Sequence, residues 1–138
     1  MQLQYMLPAL LVLTACAHSA SDKGAPGANY CPVQFTGEWS AWVDAMPPGP
    51  KTLNISGQVV APTPGYEASW REGFADRGMP PGQHFYLEFT PPSGFVPQVL
   101  TTIDVTYRGD AAYPEYRAVI VHCGDDAVTE ISPVPTAH

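Results

Sequence analysis

Hydrophobic and polar residues alternate along several parts of the chain, and this period of two is typical of β-strands that bury one face. The alternation is clearest over residues 53–59, 85–90 and 99–108. Each of these stretches predicts a half-buried antiparallel strand. Residues 116–123 are apolar at both odd and even positions, which predicts a central strand that is buried on both faces.

Weaker alternation predicts three more strands, around residues 38–43, 66–71 and 127–131. Clusters of proline and glycine separate the stretches and indicate turns. Gly57 lies inside the first clear stretch and predicts a β-bulge there. About seven short strands without a helical pattern predict an all-β fold, an immunoglobulin-like antiparallel β-sandwich over residues 30–138.

An apolar segment at residues 6–13 precedes Cys16. It is shorter than the roughly 20 residues that a helix needs to cross a bilayer, and it has the length of the apolar region of a signal peptide. The sequence Leu13-Thr14-Ala15-Cys16 resembles the lipobox of bacterial lipoproteins. The resemblance implies that Cys16 carries a diacylglycerol and becomes the first residue of the mature protein. A short buried helix with a free core cysteine is the alternative for these residues.

The lipobox resemblance divides the chain into three parts. These are a signal peptide at 1–15, the lipidated cysteine with a flexible tether at 16–29, and the β-sandwich domain at 30–138. In Gram-negative lipoproteins an aspartate after the modified cysteine favours retention in the inner membrane, and Ala17 stands there instead. The resemblance therefore implies a lipid anchor in the outer membrane and a domain that faces the periplasm.

Two cysteines, Cys31 and Cys123, remain once Cys16 carries lipid. Because the cell envelope permits disulfides, we expect a bridge from the start of the first strand to the end of the penultimate one. A bridge that closes a loop of roughly 90 residues stabilises the folded state by about 4 kcal/mol in the chain-entropy model. Two unrelated buried thiols are the alternative.

The formal net charge is −7, and charged residues make up only 14% of the chain. An acidic surface disfavours nucleic acid and anionic lipid headgroups as partners. The sequence contains no nucleophile elbow, no phosphate-binding glycine loop and no His-Glu-x-x-His motif. We therefore predict no enzymatic activity and no cofactor.

The histidines are candidate metal ligands. His84 falls on the outward face of its predicted strand, and His122 lies close to Asp125 and Asp126 in sequence. Adjacent aspartates after a glycine are typical of a solvated turn, and no further ligand is indicated. We predict no metal site.

Trp39 and Trp42 are candidates for an aromatic contact with a partner. They are three positions apart and so point to opposite faces of a strand, which leaves at most one of them in the core without a bulge. Large aromatic residues most often belong to the core. The other tryptophan is the better candidate for a contact surface.

One loop resembles a known inhibitory loop. It consists of Pro62, Thr63, Pro64, Gly65 and Tyr66. It is similar to the Asn-Pro-Thr-Thr-Gly-Tyr loop of chagasin-like inhibitors of papain-type cysteine peptidases, although Ala61 and Pro64 depart from that pattern. In that family the loop enters the active-site cleft of the peptidase. A turn between two strands is the alternative for these residues.

Anchor, tether and domain together predict a periplasm-facing lipoprotein with a non-catalytic binding or structural role. An envelope protein is the partner that this position favours. Inhibition of a cysteine peptidase through residues 62–66 is the alternative function.

Overall fold

The computed structural model describes residues 30–138, and this part of the chain is all-β, as the alternation predicts. It has eight strands where the sequence predicted about seven, because a short strand follows the last predicted one. The strands are β1 (Gln34–Asp44), β2 (Thr52–Ala61), β3 (Glu67–Ala75), β4 (Gly82–Thr90), β5 (Thr101–Asp110), β6 (Ala118–Cys123), β7 (Asp126–Ile131) and β8 (Thr136–Ala137). Within residues 30–138 there is no helix of the length and apolarity required to cross a membrane.

The strands form two four-stranded sheets that pack into a sandwich. The first sheet has the order β5-β2-β1-β8 and the second the order β3-β4-β6-β7. Four pairs are antiparallel, but β1 with β8 and β4 with β6 are parallel. The alternation did not predict the parallel pairs, since it indicates which face a residue occupies and not which way a neighbouring strand runs. A parallel pair needs a crossover, and the chain between β4 and β6 crosses to the other sheet to form β5.

The core lies between the two sheets and is built from the inward positions of the long strands. Phe85, Leu53, Ile55 and Leu87 are among the largest fully buried side chains. In β6 every residue but His122 is buried, which agrees with the central strand that the sequence predicted. Strands β2, β4 and β6 therefore contribute the buried apolar side chains of the core.

The predicted bulge at Gly57 lies instead on the neighbouring strand. The β1–β2 register shifts between Thr36 and Ser40, so three β1 residues oppose the single residue Gly57. Gly57 itself pairs continuously with β5. The indole ring of Trp39 lies directly over Gly57, where a Cβ atom would overlap the ring. Glycine is therefore required at position 57 for a close approach.

Trp39 packs between the sheets with other aromatic residues. Its ring stacks on Phe35 at a centroid distance of 5.0 Å and meets Trp70 edge-on at 6.4 Å. Trp70 in turn meets Phe85 edge-on at 6.1 Å. The indole Nε1 of Trp39 is buried and has no hydrogen-bond partner in the described residues. These contacts link β1 of the first sheet to β3 and β4 of the second.

A disulfide joins Cys31 and Cys123, which are 92 positions apart in sequence. Cys31 precedes β1, and Cys123 is the last residue of β6. The bridge therefore links the segment before β1, where the chain enters the sandwich, covalently to β6 of the second sheet.

The sandwich has two ends, which carry different loops. The end at which residue 30 enters the sandwich is called the tether end, after the tether that the sequence predicts at 16–29. It holds residues 30–33, 62–66, 91–100 and 124–125. The register places them together, because β2 ends where β5 begins and β3 begins where β4 ends. We call the opposite end, with the β1–β2, β3–β4 and β5–β6 loops, the distal end.

We expect Gly57→Ala to destabilise the fold by about 1–3 kcal/mol, because overpacking a filled site costs this much. Gly49→Ala is the matched control, since a Cβ at Gly49 meets nothing within 4 Å. The control should change the free energy of unfolding by less than about 0.5 kcal/mol. Urea unfolding of both variants measures the difference, and equal midpoints would contradict the close approach of Trp39 to Gly57.

Candidate functional site

A stack of aromatic rings covers the outer face of the second sheet. It runs Phe74, His84, His122, Tyr86 and ends in the guanidinium group of Arg71. Successive ring centroids are 4.0, 5.0 and 4.9 Å apart, with interplanar angles of 17°, 28° and 24°. The Cζ atom of Arg71 lies 4.2 Å from the centroid of Tyr86, a cation–π contact. We call these five residues the ring ladder.

The strand alternation and the parallel β4–β6 pair position the middle of the ladder. In β4, Phe85 and Leu87 point into the core, so His84 and Tyr86 point outward. The parallel register pairs Tyr86 with His122. This pairing places the His122 ring between the rings of His84 and Tyr86, where it stacks on both.

A bulge in β3 positions the end of the ladder. The β3–β4 register shifts between Glu72 and Ala75, so that Gly73 and Phe74 both oppose His84. A Cβ at Gly73 would lie 2.8 Å from the carbonyl oxygen of His84. Glycine there allows the bulge to sit close to β4, and Phe74 turns outward to stack on the imidazole.

A hydrogen bond joins the two histidines. Nδ1 of His84 and Nε2 of His122 are 2.7 Å apart, so one nitrogen donates and the other accepts. A doubly protonated imidazole has no acceptor, and the bond is lost when both rings are charged. Burial, and then the proximity of His84, lower the pKa of His122 below its ordinary value of 6.5.

The inner rings of the ladder present their edges to solvent because their faces are covered by neighbours, whereas Phe74 at the end of the stack is 57% exposed. Within residues 30–138, His84 Nε2, His122 Nδ1 and the Tyr86 hydroxyl take part in no hydrogen bond. Arg71 and Glu88 form an exposed ion pair beside them, with 3.2 Å between Nε and Oε1. This surface offers directional donors and acceptors.

The predicted aromatic contacts lie elsewhere. Trp39 packs against the core, whereas Trp42 is 37% exposed on the outer face of the first sheet. Trp42 is therefore on the opposite side of the sandwich from the ring ladder. Cys16, the predicted lipidation residue, lies outside the described residues.

The loop at residues 62–66 lies at the tether end and is partly held in the fold. Thr63 is buried and Tyr66 packs against the core. Gly65 adopts a positive φ of 90°, and a Cβ there would lie 2.8 Å from Pro92. The exposed positions of the loop are Pro62 and Gly65.

A cleft of about 630 Å³ also opens at the tether end, beside the disulfide. Its lining includes Tyr30, Pro32, Tyr66, Phe89, Pro91 and Cys123. The cleft shares Tyr66 with the loop at 62–66 but includes no member of the ring ladder. Glu88, the ion-pair partner of Arg71, also lines the cleft, so the two surfaces adjoin there.

The residues that suggested a metal site do not converge. His122 faces His84, while Asp125, in the turn before β7, and Asp126, the first residue of β7, are exposed. No group of three or more His, Cys, Asp or Glu side chains in residues 30–138 is arranged to hold a metal ion.

Sequence reasoning missed the ladder as a unit. The outward positions of His84 and Tyr86 were visible in the alternation of β4. Their contact with His122 depends on the β4–β6 register, which the sequence did not indicate.

Comparison of the chain with protein-family models, with curated proteins and with solved structures gives no match. Function must therefore be argued from the surfaces themselves.

We expect the folded state to lose stability as the pH falls below 6.5, through the lowered pKa of His122. In this range His122 binds a proton more tightly in the unfolded chain than in the folded chain, so the free energy of unfolding rises with pH. The contribution of His122 is complete above pH 6.5. His122→Gln should flatten this dependence, and His138→Gln at the chain end should keep it. Urea unfolding at several pH values measures the slopes. An unchanged slope in His122→Gln would contradict the assignment.

Proposed function

We propose that the protein is a lipoprotein anchored in the outer membrane through Cys16, whose non-catalytic β-sandwich binds an envelope protein through the ring ladder. The observation that carries the binding role is the pair of hydrogen-bonded histidines on an outer sheet face. The core beneath that face is complete without them.

Support for the anchor comes from the sequence. Leu13-Thr14-Ala15-Cys16 has the lipobox pattern, and a small polar segment at 17–29 follows it. A flexible coil of about 13 residues spans roughly 20 Å on average. The first strand of the sandwich, β1, starts at Gln34, soon after this segment, as expected for a domain held close to a membrane.

Support for binding comes from the chemistry of the ladder. Stacked rings on neighbouring strands stabilise a sheet, and phenylalanine or tyrosine would serve that purpose. Imidazole nitrogens lose solvation when they are partly buried, which is unfavourable unless they hydrogen-bond. His84 and His122 satisfy one nitrogen each in their mutual bond. Their remaining nitrogens and the flanking Arg71 can pair with polar groups of a partner.

The charge of the chain narrows the class of partner. A net charge of −7 disfavours nucleic acid and other polyanions. An envelope protein that presents backbone or side-chain hydrogen-bonding groups fits the row of ring edges, and the exposed Arg71–Glu88 pair adds one charge of each sign.

The chagasin-like resemblance of residues 62–66 implies another function, inhibition of a cysteine peptidase. Thr63 and Tyr66, two of the matching residues, are engaged within the fold. The structure offers no observation that favours this function over the ring ladder, and the proposal rests on the ladder.

Mass spectrometry of the protein from bacterial membranes tests the anchor. We expect a mature chain that begins at Cys16 and carries acyl mass, and we expect Cys16→Ser to lack that mass. Ser19→Ala, three residues along the tether, is the control and should be acylated like the wild type. The anchor would be contradicted if the wild type retained Met1. It would also be contradicted if wild type and Cys16→Ser differed in mass only by the substitution itself.

Co-purification after crosslinking in intact cells tests the binding surface. The double substitution His84→Phe and His122→Phe preserves ring stacking and removes the imidazole nitrogens, so we expect it to lose the crosslinked partner. Trp42→Phe, on the outer face of the other sheet, should retain it. Both variants should unfold cooperatively in urea, which separates loss of binding from loss of the fold.

Two results would contradict the binding surface. One is recovery of the protein alone from wild-type cells. The other is recovery of the same partner from the double phenylalanine variant, which would assign the ladder to sheet stability alone.

A further inference from the structure

The segment between β4 and β5, residues 91–100, exposes large apolar side chains. Phe95 is fully exposed, Leu100 is 75% exposed and Val99 is 57% exposed. The alternation in the sequence placed Val99 in the following strand, but β5 begins at Thr101. The segment contains no charged residue. We call it the apolar loop.

The apolar loop lies at the tether end of the sandwich. It leads into β5 at Thr101, which pairs with Ala61 at the end of β2. It packs against the loop at 62–66 through Pro92 and Gly65. The chain enters the sandwich at this same end, because β1 begins beside the end of β2.

Exposed apolar residues also occur at the distal end, but in charged surroundings. Met79 is 95% exposed and Met46 is 57% exposed. The loops there carry Asp76, which is paired with Arg117, and also Lys51, Arg77 and Glu115.

The tether end differs in charge. Residues 30–37, 62–66 and 91–100 contain no Asp, Glu, Lys or Arg, and the acidic side chains at this end are Glu67, at the start of β3, and the exposed pair Asp125 and Asp126. Uncharged apolar surface therefore concentrates at the end where the chain enters.

We propose that the apolar loop inserts into the interfacial region of the bilayer that holds the acyl chains of Cys16. This inference rests on the proposed lipid anchor. The anchor determines which end of the domain is near lipid, because the tether joins the domain at that end. Phe95 and Leu100 are exposed to water in the structure, and insertion into lipid removes their apolar surface from water.

The anchor also explains why a weak loop contact is sufficient. A tether of about 13 residues keeps the loop at a high effective concentration near the surface, so that the contact needs little affinity of its own. The negative charge of the chain and of Asp125 and Asp126 selects a zwitterionic headgroup over an anionic one. With the tether end on the membrane, the strands run away from the bilayer and the ring ladder faces the periplasm.

Fluorescence of the complete acylated protein in phosphatidylcholine vesicles tests this contact. Phe95→Cys and Met79→Cys each introduce a thiol for an environment-sensitive dye, since Cys31 and Cys123 are bridged and Cys16 is acylated in the proposed mature protein. Position 79 is the matched control, because both side chains are almost fully exposed and sit at opposite ends of the sandwich. Acyl-chain spin labels report contact with lipid, and iodide reports contact with water.

We expect the emission of the dye at position 95 to shift to shorter wavelength. Spin-labelled lipid should quench this dye several-fold more than the dye at 79, and iodide should quench it less. If the protein floats with the vesicles but the dyes at 95 and 79 are quenched equally, the loop contact is contradicted and the anchor is not. Protein that does not float contradicts the anchor, and the loop contact fails with it. A dye at 95 that is shielded from iodide in intact cells but not quenched by lipid labels also overturns the proposal, in favour of a protein partner.

Discussion

The parallel pairing of β4 with β6 sets the positions of the disulfide, the core and the ring ladder. Both strands run toward the tether end, so β6 delivers Cys123 to the place where Cys31 enters. The crossover between them builds β5, which completes the first sheet and closes the core. The same register aligns Tyr86 with His122. A shift of one residue would turn the outward side chains of β6 toward the core.

The fold separates two kinds of surface. The outer face of the second sheet carries polar ring edges that can hydrogen-bond in defined directions. The tether end carries uncharged apolar side chains, and it is joined to the segment that we propose as a membrane tether. In the proposed arrangement the first surface meets a protein in the periplasm while the second rests on lipid. The disulfide lies at the tether end, where the pull of an anchor would be transmitted to the sandwich.

The sequence was sufficient to predict features that depend on one strand at a time. Alternation correctly assigned Phe85 and Leu87 to the core and His84 to the outer face, and it identified β6 as buried on both sides. Apart from the Cys31–Cys123 bridge, which the cysteine count predicted, features that depend on two strands were not predictable. Gly57 signalled an irregularity, but the extra residues are in β1, and a glycine pattern does not reveal which strand of a pair bulges. The contact between His84 and His122 needed both the direction and the register of β6, and hydrophobic periodicity contains neither.

The central claim is that β4 and β6 bring two imidazoles into a hydrogen bond on the outer face of the sheet. Nuclear magnetic resonance of the ¹⁵N-labelled protein tests it most directly, because a scalar coupling between two nitrogens is transmitted through an N–H···N bond. The structure predicts such a coupling between His84 Nδ1 and His122 Nε2 at neutral pH, and its loss when acid protonates both rings. Two imidazoles that show no coupling and titrate independently would contradict the ring ladder and the binding surface built on it.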